Sequence, residues 1–276
     1  MSLQNNQLKF IETPISIILR EAVVASTAIG NGIETYSVND YILHSIFLKM
    51  TGAQEQKMKC IVWELASNDY NYRYLRYNQK PYGECSCYDE KNKIYKDLLD
   101  QITKIDPAFH IDTFFDKNAI LSNIVADLDD IFEKSSLSQI RSREYNEYKL
   151  IFKSLTPDCF IVGSLSANNK NDERRIFSTC DKCPKFDKKS NVRKCDNLLN
   201  LHEIYSLLYR HRNRCAHNTT SYQQNLPTFT MMSNLKYCYE NYFIYFAILV
   251  LIDTIFINLF KRYQDDTVSK SVSGEG

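Results

Sequence analysis

Residues 242–260 read YFIYFAILVLIDTIFINLF, nineteen residues that are nearly all apolar. That is the length of a membrane span, and equally of a helix buried in the middle of a bundle. Asp253 favours the bundle, because a carboxylate near the centre of a span costs roughly 2.5 to 3.5 kcal/mol on insertion scales. Thr254 and Asn258 add polar load. The stretch is therefore expected to be the last long helix of an all-α protein, spanning about 233–263, with no membrane involved. Its apolar side chains cover more of the circumference than one bundle is expected to bury. A homodimer is the expected second cover, with Asp253 and Asn258 paired across the axis or facing a polar cleft.

Bulk composition points the same way. Seven glycines and six prolines in 276 residues are few for an all-β architecture, so helices are favoured. With 34 basic and 33 acidic side chains the net charge is +1, and any nucleic-acid binding must come from a local patch. The N-terminal MSLQNNQLKF lacks a basic segment followed by an apolar run. The nine cysteines are therefore expected to be reduced thiols in a cytoplasmic protein, and the sequon at Asn218 to be a coincidence.

Upstream of the apolar stretch, helical periodicity recurs. Ser37-Val38-Asn39-Asp40 has the form of a capping box, predicting a helix from about Val38, and Gln56 to Tyr77 continues the pattern. That second segment ends in DYNYRYLRY, a tyrosine and arginine surface expected to be a solvated helix face. Trp63 reads as core, while His44 and His110 read as packing or surface residues. Further helices are predicted over 92–105, from Asp116, over 142–155 ahead of Thr156-Pro157, and from Asn200-Leu201-His202-Glu203, a second capping-box pattern. Between about 156 and 196 lies a polar, less regular insertion with one short strand, CFIVG. Its basic residues, Arg174 and Arg175 among them, outnumber the acidic ones and are candidate contacts for an anionic substrate. The chain is thus read as a single helical domain over 4–264 followed by a disordered tail, 265–276.

The stretch LYRHRNRCAHN, 208–218, follows the last capping-box helix and contains Arg212-Asn213-Arg214-Cys215-Ala216-His217. The form R-N-x-x-x-H, near the end of one helix and ahead of the last long helix, resembles the signature of the HEPN superfamily. Its members are all-helical domains that commonly act as metal-independent ribonucleases. The resemblance covers roughly 197–263. It implies a HEPN-like bundle that cleaves RNA, dimerises so that two motifs share one cleft, and acts in a toxin or phage-defence setting with an antitoxin or other protein partner. Metal-free cleavage requires a base for the 2'-hydroxyl proton, a cation for the charge on phosphorus and an acid for the leaving 5'-oxygen. His217 suits the acid or base role and Arg212 the phosphate, with Asn213 orienting the imidazole or donating to the phosphate. Arg210 also precedes His217 at a permitted spacing, so either arginine can be the working one. Arg214 and His211 are expected to be supporting or solvated. The alternative within the same family is a non-cleaving scaffold that binds nucleic acid or protein.

No cofactor is expected for the chemistry itself. Cys180-Asp181-Lys182-Cys183, with Cys195 further on, has three of the four ligands of a structural zinc site. His202, Cys159, Cys85 or Cys87 would be the fourth, and free thiols in a polar loop are the other reading.

Overall fold

The computed structural model describes residues 3–30, 32–79, 81–163, 174–178, 200–217 and 241–273. Its elements are α1 (Leu3–Glu12), α2 (Ser16–Ala25), α3 (Tyr36–Asn68), α4 (Tyr70–Tyr74), α5 (Tyr88–Ile105), α6 (Ile111–Phe114), α7 (Lys117–Phe132), α8 (Ser136–Ile140), α9 (Ser142–Lys153), β1 (Phe160–Val162), β2 (Arg175–Phe177), α10 (Leu201–His217) and α11 (Tyr242–Ser273). The protein is mostly helical, and among the described residues two short antiparallel strands pair Phe160 with Phe177 and Val162 with Arg175.

The apolar stretch forms the first part of α11 and lies inside the molecule, in contact with α3, α5, α7, α9 and α10. From Phe243 to Phe260 only Thr254 and Asn258 are not fully buried, and both satisfy their side chains on the preceding turn, at Val250 O and Thr254 O. One chain covers this helix, so its apolar circumference does not call for the second subunit expected from the sequence. Asp253 is likewise engaged within the chain. It accepts from Lys57 Nζ at 2.7 Å and from the Ile15 amide at 2.8 Å, while Lys57 also donates to Thr13 O. This pair ties α3 and α11 to the α1–α2 junction. By length and composition α11 could cross a membrane, but most of its apolar stretch is covered by the chain's own helices.

From Asp265 on the sequence predicts disorder, yet α11 continues to Ser273. Local bonds carry it: Arg262 Nε donates to Asp266 at 2.8 Å, Thr267 to Tyr263 O and Ser269 to Asp265 O, and no glycine or proline intervenes.

The two helices expected on either side of residue 50 are one, the 33-residue α3. It starts at Tyr36, after a 3₁₀ turn over Ile33–Thr35, and the Ser37 capping box does not form. Asn39, its third position, is instead fully buried and donates back to Thr35 O at 3.0 Å. Trp63 is 55% exposed rather than core. The remaining caps follow the sequence. Asp116 accepts from the Ala119 amide at 2.9 Å to start α7, and Asn200 and Glu203 bond each other's amides at 2.9 Å to start α10.

The described parts of the expected insertion belong partly to the core. Phe160, Ile161, Ile176 and Phe177 are fully buried, and the strand pair docks on α5 where Tyr88 Oη accepts from Phe177 N at 3.0 Å and Asn92 accepts from Ile176 N.

Candidate functional site at the end of α10

Leu201, Ile204, Tyr205 and Leu208 form the buried stripe of α10, and continuing that spacing brings His211, Arg212 and Cys215 to the same side. The arginine and histidine run is therefore no solvated helix end over its whole width. Arg210 and Ala216 face outward, and Arg210 has no partner among the described residues.

Arg212 points at α3. Its Nη2 donates to Glu55 Oε2 at 2.9 Å and its Nη1 to Asn213 Oδ1 at 3.2 Å. The arginine side chain is 23% exposed and the glutamate 13%, so the pair is half-buried at the surface. Glu55 is firmly placed, because its neighbours on α3 are fixed to α11: Gln54 donates to Leu249 O at 3.0 Å and Lys57 binds Asp253. Lys91, on α5, adds a second cation near Glu55. It donates to Cys85 O and Ser86 O, and burial lowers its pKa to about 8, with the Glu55 charge acting against the fall.

His211 points towards α11 and α3. Its ring sits among Phe47, Tyr242 and Tyr245 with centroids 5.3, 5.3 and 5.6 Å away. Arg214 Nη2 lies 3.4 Å from Nδ1, and a guanidinium has no acceptor, so Nδ1 accepts and the ring proton sits on Nε2. From there it reaches Tyr242 Oη at 3.1 Å and Cys215 Sγ at 3.5 Å, and the same sulfur lies 3.8 Å from His44 Nδ1. Burial first, then the Arg214 and His44 charges, lower His211 to about 4. Burial also lowers His44 and pushes the Cys215 thiol up to about 11. At neutral pH this cluster is thus an uncharged imidazole and an un-ionised thiol, which can bond and pack but supply neither an imidazolium acid nor a thiolate.

Arg212 and Asn213 are brought together, and Arg214 serves His211. His217 ends α10, but its side chain lies outside the described residues. Arg174 is held by Asp100 of α5 at 2.6 Å and Arg175 lies in β2, which places both with the strand pair and not with the motif. Cys180, Cys183 and Cys195 lie outside the described residues. Of the suggested fourth ligands, His202 packs edge-on against Tyr88 and Cys85 and Cys159 are buried; among the described residues no group of three or more His, Cys, Asp or Glu is arranged to hold a metal. Sequence reasoning missed Glu55, the Tyr242 hydroxyl and the contact of His44 with Cys215.

Taken together, the described residues make an all-α protein carrying a short strand pair, with a clustered Arg-Asn pair at the end of its penultimate described helix. No family model, curated protein or solved structure matches this chain.

Proposed function

We propose that the protein is a metal-independent endoribonuclease of HEPN type. The observation that carries this reading is the pairing of Arg212 and Asn213 on the last turns of α10, partly exposed and on the same helix as His217, with the guanidinium turned to Glu55 of α3. In the proposed reaction the 2'-oxygen attacks phosphorus while a base removes its proton. The bond from phosphorus to the 5'-oxygen breaks, and an acid protonates the leaving oxygen, giving a 2',3'-cyclic phosphate and a 5'-hydroxyl. Arg212 would hold the phosphate oxygens by exchanging Glu55 for substrate, and His217 would move a proton. His211 is excluded from the acid role at neutral pH by its lowered pKa. With one histidine as base and another as acid, the reading takes a homodimer with two copies of His217 at one phosphate. A toxin or phage-defence role in the cytoplasm, with an antitoxin or other protein partner, belongs to it, as does a structural zinc on Cys180, Cys183 and Cys195.

A second reading, a non-cleaving scaffold that binds nucleic acid or protein, is favoured by the Arg212–Glu55 ion pair, which occupies the guanidinium without substrate. End-labelled RNA incubated with the protein in EDTA separates the two. Cleavage to cyclic-phosphate ends that is lost in His217→Ala supports the nuclease; intact RNA, or a strict need for Mg²⁺, refutes it. Elemental analysis of protein purified without added metal tests the zinc.

A further inference from the structure

Helix α4 and the π-helical turn that follows it, Leu75–Gln79, place Tyr70, Arg73, Tyr74 and Tyr77 at helical spacings of three, four and seven, on one outward face. Tyr70 is 78% exposed, and Tyr74 and Tyr77 are each about half exposed. Trp63, on the last turns of α3, joins them by setting its ring edge-on to Tyr77 at 6.5 Å. Large rings rarely gather on a surface without a use.

The opposite face of the same segment is clamped. Asp97, on α5, accepts from Tyr72 Oη and Arg76 Nε at 2.8 Å each, and from Tyr82 as well. The guanidinium of Arg76 also lies over the Tyr82 ring, 5.0 Å from its centroid. Asp69 caps α4 through the Asn71 and Tyr72 amides and takes Gln101 and Lys104 on its other oxygen. The rings are therefore displayed from a fixed base, which lowers the ordering cost of binding.

The charge on this face narrows the occupant. Of the local carboxylates, Asp69 and Asp97 are engaged by cations and Glu64, next to Trp63, is turned inward and buried, whereas the exposed Arg73 has no carboxylate partner among the described residues. No exposed Leu, Ile or Val lies between Trp63 and Tyr77, so the patch consists of flat rings with polar tips around one free guanidinium, rather than an aliphatic seat for a partner helix. Flat rings beside an unpaired cation suit a strand of unpaired bases, which stack on aromatic faces while their phosphates meet arginine. We infer that the face formed by Trp63, Tyr70, Arg73, Tyr74 and Tyr77 is a stacking platform for single-stranded nucleic acid. This stands apart from the cleavage chemistry, since neither Arg212 nor His217 contributes to it.

Trp63 is the chain's one tryptophan, so its fluorescence reports the platform directly. The test titrates the full-length protein with a 12-nucleotide oligo(dT), with a 2'-O-methyl oligo(U) and with a 12-base-pair DNA duplex. None of these can be cleaved by 2'-hydroxyl attack, so the measurement is independent of whether the chain is a nuclease. Saturable quenching by both single strands, much weaker with the duplex, is expected. Tyr70→Ala and Tyr74→Ala should each weaken binding by about ten-fold, within the range that loss of one stacked base gives. Arg73→Glu should weaken it and flatten its salt dependence. Absence of saturable quenching, equal response to the duplex, or wild-type binding by a Tyr70→Ala and Tyr74→Ala double variant of unchanged circular dichroism overturns the inference and leaves the face to a protein partner.

Discussion

At Arg212 the same side chain is asked to hold the fold and to meet a substrate. Arg212→Ala would leave Glu55 mostly buried without its ion-pair partner, with only the nearby Lys91 charge remaining, and losing such a hydrogen bond costs about 1 to 3 kcal/mol. Urea unfolding should show a loss in that range, whereas Glu55→Gln, which keeps a hydrogen bond to the guanidinium, should lose less. Comparing RNA cleavage in the two variants then separates function from stability: a Glu55→Gln protein as inactive as Arg212→Ala would mean that the pair, not the arginine alone, matters. His211 gives a prediction in pH. Its folded pKa of about 4 lies below the reference 6.5, so the unfolded chain takes up the proton first as pH falls. The stability due to the neutral ring is complete above about pH 6.5 and is lost progressively towards pH 4, roughly 2 kcal/mol of it between pH 7.5 and 5. His211→Gln should lose correspondingly less between those two pH values in the same urea assay, and equal losses would show that His211 is not the group responsible. The motif could be read from sequence because it is six consecutive residues. Its partner Glu55 could not, because it lies 157 positions away and meets Arg212 only through the packing of α3 on α10. Nothing in the segment GAQEQKMKC marks one acidic side chain among several polar ones as the one turned inward.

Among the elements, α3 and α11 are the pair on which the others pack, and the Lys57–Asp253 bridge between them is 3% and 2% exposed. Burial pushes Lys57 down and Asp253 up, each opposed by the charge of the other. Breaking such a pair leaves an uncompensated buried charge and costs roughly 3 to 5 kcal/mol, so Asp253→Asn should lower the melting temperature sharply. The double variant Lys57→Met with Asp253→Leu should recover most of that loss, though not the part that came from the Ile15 amide. If the double variant is as unstable as the single one, the bridge is not the cause. Asn200→Ala should cost about 1 kcal/mol through loss of the α10 cap. These helices were legible where the signal is local, as at Asp116 and Asn200, whose side chains bond amides three residues on. They were misread where tertiary packing overrides it. Asn39 looks like part of a cap yet is fully buried, and the three residues of β2 are too few to show an alternation. Trp63 reads as core from the sequence because a tryptophan between Val62 and Leu65 suits a buried face. Both neighbours are indeed buried, and the helical turn carries the indole to the outside.

For the molecule as a whole, the burial of α11 by its own chain separates folding from assembly. A helix left half bare would need a partner before it could be stable, and the melting temperature would then rise with protein concentration. Here Phe243 to Phe260 is packed within one chain and its one carboxylate is paired there, so the melting temperature should stay constant over a hundred-fold range of concentration. Sedimentation should find the protein in detergent-free buffer; recovery only with the membrane fraction would mean that α11 leaves its bundle for lipid. The proposed nuclease makes a different demand, because a phosphate served by two copies of His217 needs two chains. Cleavage per chain should therefore fall steeply on dilution while the melt does not move. That combination would place the dimer in the chemistry and not in the fold. A rate per chain independent of dilution, in a species that sediments as a monomer, would remove the composite site and require Arg212, Asn213 and a single His217 to act without a second subunit.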